Sequence, residues 1–250
     1  MQLVVMIICV ILILSLVFLI LWIEKERGDN SIYGEKTLYD KSLPQSVQVV
    51  MDKLKTGKGL DNGFLVLTKL KDMYNLDYGI SPYKCKPIDK PLARTTLRNK
   101  FLANRYFLEN MSIRIYQDCI HEIGHTYDIC LIKWYYVMLG VAILSTVATF
   151  VLKLYLIMPI SAVLWVYAAK ISVNIERNAI AFAAEKSYTV TKKLGFTKEE
   201  SNQVYLYLKE KAVYIRTYYK WRIIENISLM VFFLLTAGLL YTIMAFWLNI

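Results

Sequence analysis

The chain has 250 residues, of which 56% are hydrophobic and 20% charged, and a formal charge of +10 at pH 7. A mean hydropathy of +0.38 is too high for an ordinary soluble domain of this length. The apolar residues fall in a few long blocks, which excludes a single large water-soluble core. All 20 acidic residues are interspersed with the basic ones, a mixture that suits an anionic lipid surface better than nucleic acid.

Residues 3–23 carry no charge and are long enough to cross a hydrocarbon layer of ~30 Å as a helix. No basic region precedes them and no small-residue cleavage site follows, so they read as a retained span and not as a signal peptide. In the polar segment that follows, a helical piece is expected around residues 46–55. A second is expected over 64–74, with apolar residues at Phe64, Leu65, Leu67, Leu70 and Met73. Residues 77–93 contain Gly79, Pro82, Pro87 and Pro91 and read as mostly irregular. One or two short strands are expected within 94–102. Residues 108–133 read as one helix, N-capped by Asn110 or Ser112 and leading directly into the next apolar block.

That block, residues 134–171, is interrupted by Lys153, carries Lys170 only near its far end, and is nearly twice the length of one span. It predicts a hairpin that turns near residues 153–159, with Pro159 opening the second limb. A helical pattern resumes over 173–194 and stops at Gly195. Thr197 and Glu200 have the spacing of a capping box, opening a helix that extends to about residue 221. Residues 227–248 form a last uncharged block. The expected architecture is therefore mostly α. It is a polytopic membrane protein with four transmembrane helices (1–23, two within 134–174, and 227–250). Two polar segments, 24–133 and 175–226, form a helical domain with a small strand region.

Of the 30 Lys and Arg residues, all but Lys153 and Lys170 lie in or directly beside the two polar segments. Positive residues mark the cytoplasmic side. Both polar segments are thus expected in the cytoplasm of a cell whose plasma membrane holds the spans. The cysteines, Cys9, Cys85, Cys119 and Cys130, show no Cys-x-x-Cys spacing, so neither disulfides nor a thiolate metal site is expected.

The chain's two histidines both fall in one motif, His121-Glu122-Ile123-Gly124-His125. On a helix, residues i and i+4 share a face, so both imidazoles can reach one tetrahedral Zn2+. Glu122 occupies the neighbouring position, where a carboxylate can take a proton from a water whose pKa the ion lowers to about 7. A catalytic zinc needs a third protein ligand. No third histidine exists, so carboxylates are the candidates: Glu176, Glu185, Asp118 and Asp128. Glu176 is favoured because a membrane hairpin would return its helix beside the motif. Asp128 also suits a supporting role behind the ligands.

These features resemble the YugP-like neutral zinc metallopeptidases of bacterial membranes. Three stretches carry the resemblance: the motif itself, Glu176-Arg177-Asn178-Ala179 after the hairpin, and Gly195-Phe196-Thr197-Lys198-Glu199-Glu200. Phe101-Leu102-Ala103-Asn104 is similar to the strand that precedes the family's motif helix, along whose edge a substrate backbone could pair. The likeness extends from about residue 64 to the last. Asn178 stands where the family has Asp, and Ile180 where it has Ser. The resemblance implies hydrolysis of peptide bonds in a protein or peptide near the membrane, with His121, His125 and Glu176 as zinc ligands and Glu122 as general base. Tyr188, Tyr214 and Tyr218 are among many tyrosines able to stabilise an oxyanion. Two other readings compete: a zinc-binding membrane scaffold without activity, and a channel or transporter. The apolar blocks contain too few ionisable residues for the latter.

Overall fold

The computed structural model describes residues 43–83, 93–108, 111–151 and 158–214. It also describes single positions within 14–18 and 224–243, all of them helical. In chain order the elements are α1 (Gln45–Asp52), continued by one π-helical turn (Lys53–Gly57), and α2 (Gly63–Met73). Strands β1 (Gly79–Tyr83), β2 (Ala93–Thr95) and β3 (Lys100–Asn104) follow, then a 3-10 turn (Arg105–Leu108). Then come α3 (Ile113–Tyr127), α4 (Ile129–Val151), α5 (Met158–Lys193) and α6 (Lys198–Tyr214). The described chain is thus mostly helical with one three-stranded sheet.

By internal contacts the described chain falls into two units. One contains residues 28–130 and 174–217. Its core starts from helical stripes: Val47, Val50 and Met51 on α1 with Leu54 on the π-helical turn that continues it, and Val66, Leu67 and Leu70 on α2, are buried at the 3–4-residue spacing of one helix face. Asn62 caps α2 by accepting the Leu65 N–H at 3.0 Å. Ser112, one of the two caps expected, accepts the Ile115 N–H at 3.3 Å and opens α3. Ile113, Tyr116, Ile120 and Ile123 of α3 complete the same core. Truncating Ile120 or Ile123 to alanine would cost about 2–5 kcal/mol at such sites.

Four expectations are corrected here. Residues 79–83, read as irregular from Gly79 and Pro82, form β1, which pairs parallel with β3. Since β2 pairs antiparallel on the other side, β3 is the central strand and Phe101–Asn104 is no edge. The free edges among the described strands belong to β1 and β2. The motif helix also ends at Tyr127 and does not run on to residue 133. The Asp128 N–H bonds back three residues to the His125 carbonyl, tightening the turn, and α4 starts afresh at Ile129. The helix expected from 173 is part of a continuous 36-residue α5, begun at Met158, so Pro159 lies in its first turn. Gly195 at φ +87° ends α5 in the left-handed region, and the expected capping box is present. The Thr197 N–H donates to Glu200 Oε2 at 2.9 Å, and the Glu200 N–H donates to Thr197 Oγ1 at 3.2 Å.

The other unit comprises residues 1–27, 131–173 and 218–250. Its described part is chiefly the apolar stretch of α4 and the beginning of α5. Among the described residues one helix is long and apolar enough to cross a membrane, over Ile129–Thr149 at a mean hydropathy of 1.7. Large apolar side chains point outward on both limbs, Leu144 and Val163 each 68% exposed. Polar groups are turned inward. The buried hydroxyls of Thr146 and Ser161 lie 2.7 Å apart, and Trp165 Nε1 donates to Thr146 Oγ1 at 3.1 Å. The expected spans 1–23 and 227–250 lie almost wholly outside the described residues.

Candidate metal centre

α3 is amphipathic in an unusual sense: its second face is also buried, but polar. His121, Glu122 and His125 are 8%, 5% and 9% exposed. Three ionisable groups enclosed on one face are costly unless they are paired, hydrogen-bonded or coordinate a metal ion. Their ligand atoms lie within 4.8 Å of one another, so the three could hold a metal ion. The imidazoles meet edge to face, with ring centroids 4.5 Å apart.

α5 supplies a fourth group. Oε2 of Glu176 lies 3.5 Å from Nε2 of His121 and 4.0 Å from Nε2 of His125. Close helix packing makes this approach possible. A Cβ on Gly124 would lie 3.1 Å from Cα of Ala179 and 3.2 Å from Cβ of Phe182, so the glycine admits the α5 backbone one turn beyond Glu176. Further along, the Tyr116 hydroxyl of α3 is 2.8 Å from Thr191 Oγ1 of α5, both fully buried.

The other candidate carboxylates take different places. Glu185 is exposed and lies nine residues beyond Glu176, roughly 13 Å along the helix axis, out of reach of the imidazoles. Asp128 Oδ1 accepts a 3.3 Å hydrogen bond from Nδ2 of Asn178, two residues from Glu176. Asp118 stands one turn before His121, where burial raises its pKa against the opposing pull of Arg114 and His121. Tyr188 is twelve residues from Glu176, roughly 18 Å along α5, and cannot serve the cluster. The side chains of Tyr214 and Tyr218 lie outside the described residues.

The electrostatics favour a cation among these groups. Burial disfavours a charged His121, yet hydrogen bonding to Glu176 and the fields of Glu176, Glu122 and Asp118 hold its pKa up at about 9. Burial raises the pKa of Glu122, while His125, His121 and a hydrogen bond from Thr95 pull it down. Positive charge between the imidazoles is therefore stabilised, whether a proton or a metal ion carries it.

Sequence reasoning missed Thr95. Its hydroxyl, on β2, lies 2.8 Å from Oε2 of Glu122 and 3.0 Å from the Glu122 carbonyl oxygen. The two residues are 27 positions apart, and no local pattern signals the contact.

No family of known sequences matches the chain, and neither a curated protein nor a solved structure does.

Proposed function

We propose that the protein is a zinc-dependent metallopeptidase of a membrane, with His121, His125 and Glu176 as metal ligands and Glu122 as general base. The observation that carries this is the approach of Glu176 Oε2 to both imidazole Nε2 atoms, at 3.5 and 4.0 Å. Tetrahedral zinc bonded at 2.0–2.1 Å sets neighbouring ligand atoms about 3.3–3.4 Å apart. Small side-chain adjustments therefore bring all three groups into one coordination shell, and the two-histidine, one-carboxylate donor set suits zinc.

When bound, zinc supplies Lewis acidity that polarises a carbonyl and acidifies water. The chain's own residues do the rest. Glu122 is buried beside the imidazoles, where a carboxylate accepts a proton from an attacking water and returns it to the leaving amine. Among the described residues β2 is paired on one side only. Its other side offers backbone N–H and C=O groups on the strand whose Thr95 contacts Glu122, a place for an extended peptide to add as a strand. This edge takes the role that the sequence assigned to Phe101–Asn104.

The membrane part of the reading rests on Ile129–Thr149 and the outward apolar residues of α4 and α5. Four spans, cytoplasmic polar segments and a protein or peptide substrate near the inner leaflet follow from the charge distribution and the apolar blocks. No nucleic-acid partner is proposed.

One observation favours a second reading. Glu122 is itself close enough to both imidazoles to ligate, which would make a scaffold site without a base. Glu122→Gln separates the two. A peptidase keeps about one zinc per chain and loses hydrolysis of a quenched-fluorescent peptide library, whereas a site ligated by Glu122 loses zinc. Wild-type zinc protein that cleaves no member of the library would leave the scaffold reading standing.

A further inference from the structure

The contact between Thr95 and Glu122 joins a strand to the motif helix at the carboxylate itself. A threonine side chain is stiff about χ1, so its hydroxyl is placed by the strand backbone. That backbone is well anchored: Thr95 pairs with the fully buried Phe101, and Ala93 with the fully buried Ala103. The Glu122 carbonyl oxygen lies 3.0 Å from the same hydroxyl, so its one proton is shared between two acceptors of the same residue, the shorter contact being to Oε2. A glutamate side chain has three torsions and would otherwise sample several rotamers.

We propose that Thr95 is the positioning residue for Glu122. Its hydroxyl engages Oε2 and holds the carboxylate in one orientation beside the two imidazoles, so that proton uptake falls to Oε1. The inference rests on the reading of Glu122 as the general base. Because β2 is paired on one side only among the described residues, one short strand, Ala93–Thr95, would set both the register of a bound peptide and the aim of the base. Misplacing a reacting group by an ångström can cost about 100-fold in rate.

The test uses the full chain in detergent, with Thr95→Val (similar shape, no hydroxyl), Thr95→Ser (hydroxyl kept) and Glu122→Gln. Cobalt replaces zinc, and acetohydroxamate binding is followed by visible absorption. A metal-bound hydroxamate hydrogen-bonds to a well-aimed neighbouring carboxylate, so this readout needs no turnover. Steady-state cleavage of the peptide library is measured beside it.

Thr95→Val should bind acetohydroxamate about tenfold more weakly, as Glu122→Gln should, and lose about 10- to 100-fold in kcat. Metal content and KM should stay near wild type, and Thr95→Ser should restore both affinity and kcat. Wild-type affinity and kcat in Thr95→Val would overturn the proposal and leave the peptidase reading intact. A serine variant as defective as the valine one would also overturn it, showing that the methyl group's packing is what matters. If the wild type binds acetohydroxamate but cleaves nothing, the peptidase reading fails, and the binding series alone still decides the role of Thr95.

Discussion

Gly124→Ala probes how Glu176 reaches the histidines. The new Cβ would lie 3.1 Å from Cα of Ala179 and 3.2 Å from Cβ and Cδ1 of Phe182, where ordinary contacts begin at 3.4 Å. Ala179 meets it with backbone, so α5 must retreat by a few tenths of an ångström. Overpacking of this kind costs about 1–3 kcal/mol. The better helix propensity of alanine offsets about 1 kcal/mol of that. The net loss of stability is therefore about 0–2 kcal/mol, a fall of only a few degrees in Tm. A metal site is less tolerant, since its distances must hold to about 0.2 Å. Glu176, one turn from Ala179, moves with the helix. Zinc affinity, measured by competition with a chromophoric chelator, should fall at least about tenfold, or about 1.4 kcal/mol. Wild-type zinc affinity in a folded Gly124→Ala protein would refute the reasoning, because Glu176 would then not depend on the close approach at Gly124.

Other perturbations have equally definite outcomes. Tyr116→Phe removes a buried hydroxyl 2.8 Å from Thr191, whose own hydroxyl still donates to the Ser187 carbonyl at 2.7 Å. A loss of about 1 kcal/mol in urea unfolding is expected, and a loss above about 3 kcal/mol would contradict it. The pKa of His121 is raised from 6.5 to about 9. Protonation thus stabilises the metal-free fold fully below pH 6.5, and that stabilisation is lost as pH rises through about 9. The Tm of metal-free protein should fall over this window. Zinc must displace the same proton, so its affinity should rise with pH up to about 9, and binding at neutral pH should release about one proton, seen by calorimetry in buffers of different ionisation enthalpy. Asp128→Ala breaks the contact to Asn178, which is one step removed from the ligands, and should weaken zinc binding by no more than the roughly 10- to 100-fold seen on loss of a ligand's own supporting partner, without abolishing it. Complete loss of zinc would instead make Asp128 a ligand.

What the sequence revealed were the features written in local spacing. The motif's i, i+4 histidines, the Ser112 cap, the Thr197–Glu200 box and the Gly195 stop each need only a few consecutive residues to be recognised. The four candidate carboxylates were also legible, but sequence offers only connectivity to choose among them, whereas the α3–α5 packing brings Glu176 to the imidazoles. The strand β1 was hidden because Gly79 and Pro82 are turn residues by composition. Their extended conformation is imposed by pairing with β3, a contact between segments twenty-one residues apart. The break at Asp128 was masked by helix-compatible residues on both sides, and the continuity of α5 by the change from apolar to polar character near Asn174. Thr95 could not have been found at all, since a threonine on a short strand carries no mark of the carboxylate it will face.

The central claim is most directly tested by counting zinc per chain, by elemental analysis, in detergent-purified wild type and Glu176→Ala protein prepared without chelator. About one zinc per chain in the wild type, lost or much weakened in the variant, is the predicted result. No zinc in the wild type, even after incubation with the ion, or an undiminished content in Glu176→Ala, would contradict the two-histidine, one-glutamate site on which the peptidase reading depends.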